Sequence, residues 1–216
     1  AEDLSLCRAL FINRLDRPDA DYETAMAMLQ DRFGSSLGAV TIPMGSGEAF
    51  SGIIDVVHQK ARKLVDGKPK VTDIPAEFQA EAEAARAALT ELVVEADDEL
   101  MMRYLEGGEI TQEELEGLLG KALMERIFVP VFSGSCVREE GVISLLDAVD
   151  GWFPTMSDFG RIPLVNGEQL DISPDDERPV AFAFKSLQDP QNGKLTFVKV
   201  LAGTVSAGIE LINART

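Results

Sequence analysis

Cysteine and histidine are nearly absent from this 216-residue sequence, and basic residues are in short supply. The two cysteines, Cys7 and Cys136, lie far apart and share no CxxC spacing. That excludes a disulfide framework and a cysteine zinc site, and it fits a reducing compartment. The single histidine, His58, leaves no room for histidine-based metal ligation or a Ser/His/Asp triad within the chain. No apolar run approaches the roughly 20 residues of a membrane span, and the opening residues do not read as a signal peptide. Lys and Arg number 20 against 37 Asp and Glu, a formal net charge of −17. That balance argues against a chain that itself grips a phosphate backbone, DNA included, and suits an acidic face turned to water or to a basic partner. The sequence also contains no GxxxxGK[ST] phosphate loop. It opens on Ala1 inside what reads as an element, the pattern expected of a piece of something longer.

What is present is a hydrophobic content of 45%, enough for one large domain or two smaller ones. "RALFIN" (8–13) and "RIFVPVFSGS" (126–135) are short continuous apolar runs, as expected of strands in a parallel sheet covered on both faces. A polar loop and an amphipathic helix follow each. After the first, Tyr22, Ala25, Met26, Leu29 and Phe33 share a helical face, with Asp21 placed as N-cap. After the second, Val142, Leu145, Leu146, Val149 and Trp152 or Phe153 do the same, and Pro154 ends the helix. Strand–loop–helix twice over predicts part of a doubly wound α/β sheet, which binds ligands in the loops at its strands' carboxyl ends.

Roughly ninety residues separate the two units, far more than the dozen or so a crossover needs. The pattern therefore predicts an inserted α+β subdomain. It opens with two apolar runs around a Gly-rich turn at Gly45–Gly47 and continues as a long helix from Pro75 to Leu105. Ala82, Ala85, Leu89, Leu92, Val93, Ala96 and Leu100 carry the apolar stripe of that helix. A further helix opens with a capping box, Thr111 and Glu114, and buries Leu115, Leu118, Leu119, Ala122 and Leu123. The insert is dense in acid, at Glu77, Glu81, Glu83, Glu91, Glu95, Asp97, Asp98 and Glu99. A solvated helix face is the plainer reading, and a docking face for a basic protein the sharper one. A Pro-, Asp-, Ser- and Gly-rich linker follows, and then strand-like alternation around a turn at Asp189–Gly193. Too few strands remain to close a sheet, so the tail reads as the start of a β-barrel. The expected boundaries are 1–36 and 126–154 for the α/β domain, 37–125 for the insert, 155–177 for the linker and 178–216 for the barrel strands.

The chemistry-bearing residues sit in the two strand-end loops. Asn13, Arg14 and Asp16 follow the first strand. An aspartate there can accept two hydrogen bonds side by side, and the Watson–Crick edge of guanine offers two donors so placed, N1–H and the N2 amine. Adenine instead presents an acceptor. Charge-assisted bonds contribute about 1.5–3 kcal/mol each, so one aspartate can select guanine strongly. Asn13 and Asp16 as caps of turns or of the next helix is the competing reading. The second loop, Ser133 to Val137, supplies small residues whose N–H groups can approach a base oxygen, or else it simply caps the helix near Gly141.

Together, N-[KR]-x-D and a small-residue loop on two strands of one sheet resemble the base-reading half of a GTPase. The resemblance is to translational GTPases of the elongation factor G kind. It is carried by "ALFINRLDRPDADY", "IPMGSGEAFSGIIDVV", "ADDELMMRYLEGGEITQEEL", "FVPVFSGS", "GVISLLDAVDGWFP" and "KLTFVKVLAGTVSAG". It implies that Asn13 and the guanine-specifying Asp16 belong to the guanine motif, with Arg14 in place of the usual Lys. It implies that Ser135, Cys136 and Val137 form the second base loop, the N–H of Cys136 facing guanine O6. It further implies an intact cytoplasmic protein that binds GTP or GDP with Mg²⁺. On the ribosome that protein promotes translocation of tRNA and mRNA, and its acidic insert meets the ribosomal stalk protein. Phosphate loop and switches being absent from this sequence, no catalytic residue and no metal ligand is expected in it, nor tight nucleotide binding by the chain alone. A ribosome-protection protein or another sister GTPase would share these motifs. So would a non-enzymatic ribosome- or stalk-binding module with a vestigial guanine motif.

Other motifs carry less. Leu195 follows "NGK" where Ser or Thr would hold Mg²⁺, His58 belongs to the insert, and "GSG" at Gly45–Gly47 reads as a turn. "DFG" at 158–160 lacks the catalytic loop and strand lysine of a kinase, and reads as linker.

Overall fold

A computed structural model describes residues 6–155, 158, 160–163, 168–171 and 178–213. The chain divides into two compact units, Ala1–Phe153 and Pro154–Thr216. In the first, β1 (Leu10–Ile12) leads through a polar loop into α1 (Tyr22–Phe33). Asp21 caps α1 as expected, its Oδ1 accepting from the N–H of Thr24 at 3.0 Å. β2 (Leu37–Ala39) follows, then β3 (Thr41–Pro43), β4 (Ile53–Asp55), β5 (Lys60–Val65) and β6 (Lys68–Thr72). Next come α2 (Gln79–Val93), α3 (Asp98–Leu105), α4 (Gln112–Met124), β7 (Val129–Ser133) and α5 (Val142–Gly151).

β7 is buried at all five positions because it is the middle strand of a parallel sheet in the order β1-β7-β2. The continuous apolar run is explained by cover on both faces. Met26 and Leu29 of α1 pack against Leu37, Val129 and Val131 on one side. Phe128 and Phe132 join Leu89, Leu115, Leu119 and Ala148 in the main core on the other.

Val40 is the residue at which the chain changes sheets. Its N–H donates to Val131 O at 2.9 Å, and its carbonyl accepts from the N–H of Val56 at 3.0 Å. Beyond it, β3-β4-β5-β6 form an antiparallel four-stranded sheet. The insert thus grows directly out of the parallel sheet and shares its core, with Ile42, Phe50, Ile53 and Ile54 in the same cluster as Leu15 and Phe132. Leu37–Ala39, assigned above to the insert, belongs to the parallel sheet.

Several expectations are corrected. The stretch Pro75–Leu105 is not one helix: α2 tightens to a 3-10 turn at Val94–Ala96, and Asp97 caps a new helix by accepting from Glu99 N and Leu100 N. Phe33 is exposed at the end of α1. On α5 the buried residues are Ser144 and Ala148, while Leu146 and Val149 face outward. The side chains buried there are small, which a stripe of the largest residues does not predict. The α4 expectation holds in full: the capping box is formed and Leu115, Leu118, Leu119, Ala122 and Leu123 are all buried.

In the second unit, the stretch read as linker pairs β8 (Arg161–Pro163) with β9 (Gln169–Asp171). Residues 156, 157, 159, 164–167 and 172–177 of that stretch, Phe159 of "DFG" included, lie outside the described residues. The tail forms the expected hairpin, β10 (Val180–Asp189) with β11 (Gly193–Ala202). Asp189 Oδ1 accepts from the N–H groups of Gln191 and Asn192 and so shapes the turn.

Candidate functional site

Because β1 and β7 are adjacent and parallel, the loops after Ile12 and Ser133 leave the sheet side by side at the same end. The structure therefore brings Asn13, Arg14 and Asp16 together with Ser135 and Cys136, which are more than a hundred residues away in sequence. The two loops are tied. Asn13 Oδ1 accepts from the N–H of Cys136 at 2.9 Å and from that of Arg14 at 2.8 Å. Leu15 N–H donates to Gly134 O at 3.2 Å, and Gly134 N–H to Ile12 O at 3.0 Å. Leu15 is a buried plug between polar neighbours, 2% exposed. Gly134 has no alternative: a Cβ there would stand 2.1 Å from Glu140 O, where Ser135 and Glu140 exchange backbone hydrogen bonds.

Arg14 adopts φ +67, a left-handed conformation uncommon for a residue with a Cβ, and its side chain is exposed. Val137 is also exposed, at the outer lip of the second loop. The N–H of Cys136 is engaged with Asn13, so in this arrangement it braces the loops instead of standing open toward a base oxygen.

Asp16 is the distinctive group. Its side chain is only 20% exposed. Its Oδ1 is buried and has no hydrogen-bond partner among the described residues. The Ser135 hydroxyl beside it foremost, then its own N–H and the charges of Arg138 and Arg17, outweigh desolvation and hold the carboxyl below the usual carboxylate range. The group is thus ionised at neutral pH. Buried carboxylate oxygens are normally hydrogen-bonded, and Asp16 Oδ1 departs from that rule.

Arg138 is the residue that sequence reasoning missed. Its Nη1 donates to Phe50 O at 2.9 Å, and its Nε lies 4.0 Å from Asp16 Oδ2. Nothing in the local sequence marks it, because one contact depends on how the insert folds back and the other on the pairing of β1 with β7.

A cleft of about 230 Å³ in this unit lies elsewhere, lined by Asp55, His58, Arg62, Glu116 and Asp147 among others. Its charged groups pair with one another, although Arg62 Nε is buried without a hydrogen-bond partner among the described residues. Arg62 pairs with Asp55 and Asp147 at 2.8 Å each, and His58 Nδ1 lies 2.9 Å from Asp55 Oδ2. His58 Nε2 lies 3.4 Å from Glu116 Oε1, so both ring nitrogens face carboxylates. The described residues contain no group of three His, Cys, Asp or Glu side chains able to cage a metal ion, and no helix long and apolar enough to cross a membrane.

No family model matches the chain. A curated relative, elongation factor G from Aquifex pyrophilus, is 38% identical over 222 residues, covering 99% of this chain. The chain is homologous to elongation factor G. It spans 32% of that relative's length. A crystal structure of a protein from Thermus thermophilus superposes with a TM-score of 0.76 and 29% identity, over 94% of this chain and 28% of its own. The homology to elongation factor G reaches through the parallel sheet, the insert and the second unit alike.

Proposed function

We propose that this chain is the guanine-reading part of a translational GTPase of the elongation factor G kind. In this reading Asp16 accepts N1–H and the N2 amine of guanine, Asn13 fixes the two loops, and Arg14 lies against the base. Ser135, Cys136 and Val137 frame the opposite edge. The observation that carries it is the buried, unpartnered Oδ1 of an ionised Asp16 at the carboxyl ends of two parallel strands.

The parent protein would act in the cytoplasm on the ribosome, hydrolysing GTP held with Mg²⁺ and promoting translocation of tRNA and mRNA. Phosphate chemistry of that kind is positioning and electrostatics at a phosphate loop and Mg²⁺. No GxxxxGK[ST] phosphate loop occurs in this sequence, so in this reading the chain contributes base specificity. Its domain organisation in this reading is a G domain at 1–39 and 126–154, the insert at 40–125, a connecting stretch at 155–177 and barrel strands at 178–216. The exposed acids of α2 and α3 would meet a basic face of the ribosomal stalk protein.

Asp16→Asn in the protein that carries this chain tests the reading. The amide can donate to the O2 of xanthine where the carboxylate accepted from guanine, so preference should move from GTP to XTP. A variant that still prefers GTP overturns Asp16 as the base reader.

A further inference from the structure

We infer that Arg138 is the positioning residue for Asp16, and that through it the first turn of the insert sets the geometry of base reading. This inference rests on the guanine-reading assignment just made.

The guanidinium is held from two sides. Its Nη1 donates to the carbonyl of Phe50, at the end of the insert's first turn, at 2.9 Å. Its Nε stands 4.0 Å from Asp16 Oδ2, close enough to orient the carboxylate by charge without saturating it. The N–H of Arg138 donates to Ser135 Oγ at 3.2 Å, fixing the base of the side chain beside the second loop. One residue thus touches both base loops and the insert.

The turn supports the same loop through the backbone. Gly47 N–H donates to Leu15 O at 2.8 Å, on the residue just before Asp16. Gly47 has φ +60, and a Cβ there would meet Arg17 O at 3.2 Å and Pro18 Cα at 3.4 Å. The turn is therefore packed against the backbone on either side of Asp16. With Oδ2 steered by Arg138 and Leu15 pinned by Gly47, the sheltered Oδ1 has little freedom to turn away from a donor in front of it. A lysine could supply the charge, but not a planar fork that spans Phe50 O and the carboxylate together.

The test is nucleotide affinity in the protein carrying this chain, comparing GDP with IDP, whose hypoxanthine lacks the N2 amine. If Arg138 aims the carboxylate, Arg138→Met weakens GDP about tenfold and IDP much less, so the GDP/IDP preference shrinks. Arg138→Lys restores only part of the preference. A role confined to folding would lower the melting temperature and scale both nucleotides alike. An unchanged GDP/IDP ratio in Arg138→Met therefore overturns the inference, whatever happens to stability. Asp16→Asn run alongside separates the two failures. A switch to XTP with an unmoved Arg138→Met ratio keeps the base-reading assignment and removes this one, whereas no switch removes the assignment itself.

Discussion

The N–H of Cys136 donates to Asn13 Oδ1 at 2.9 Å, closing two loops across 123 residues of sequence. The side chain of Asn13 is the acceptor and the backbone of Cys136 the donor, so the two positions differ in what they tolerate. Asn13→Ala leaves two N–H groups without their acceptor at a solvent-accessible site, a loss of about 1 kcal/mol. Hydrogen exchange at the Arg14 and Cys136 amides should quicken with it. Cys136→Ala keeps the donor and should leave both the urea midpoint and that exchange unchanged. Equal effects from the two variants would show that the tie does not carry the loop geometry.

A buried pair joins the two sheets. Thr41 and Ser133 are fully buried, and Ser133 N–H donates to Thr41 Oγ1 at 2.7 Å while Ser133 Oγ donates to Thr41 O at 2.9 Å. Thr41→Val preserves shape but strands the Ser133 N–H, at a cost of about 1–3 kcal/mol in denaturant melts. The double variant with Ser133→Ala should cost less than the sum of the singles, since the two hydroxyls serve each other. Strict additivity would mean that the two side chains act independently.

How much of this could be read beforehand depended on where each signal resided. α4 was legible to the residue because its capping box and its 3.6-residue stripe lie within one continuous segment. The β5–β6 hairpin was not foreseen, although Asp66 and Gly67 both take the positive φ that an Asp-Gly turn demands. Both strands are lysine-rich and β6 is the edge strand of its sheet, so the hairpin lacks the alternation that marks a half-buried strand. The break at Asp97 was hidden because Ala96 and Leu100 continue the apolar stripe across it. Within the candidate site, Asn13 and Asp16 declared themselves by spacing. Arg138 could not, because its partners lie on the insert and on the other loop.

pH bears on the insert through its one histidine. The hydrogen bond to Asp55 foremost, with the Asp55 and Glu116 charges, raises His58 above its ordinary value against desolvation and Arg62. Burial pushes Asp55 up, but bonds from His58 and the His58 and Arg62 charges outweigh it and leave the carboxyl low. A raised histidine contributes stability that is complete below its ordinary value near 6.5 and is lost as pH climbs through the folded value. A lowered aspartate contributes stability above its ordinary value near 4, lost as pH falls through the folded one. Stability should therefore peak between the two and decline on both sides. Ring-proton NMR reports His58 without overlap, since it is the sole histidine. Its midpoint should lie above 6.5 and fall in Asp55→Asn; a midpoint at or below 6.5 contradicts the pairing.

The remaining prediction concerns the 216-residue chain by itself. Asp16 can supply charge-assisted bonds to a base, but a nucleoside diphosphate draws most of its affinity from a phosphate loop, and no GxxxxGK[ST] occurs in this sequence. The formal charge of −17 adds repulsion toward the phosphates, felt most at low ionic strength. A fluorescent GDP analogue should accordingly bind more weakly than micromolar, whereas guanosine, without phosphates, should be penalised less and should still shift the amide resonances of Asp16 and Ser135. Adenosine should not shift them. Micromolar GDP affinity would mean that a phosphate site exists in these residues which neither loop accounts for. Equal shifts from adenosine would remove base selectivity from the pair of loops.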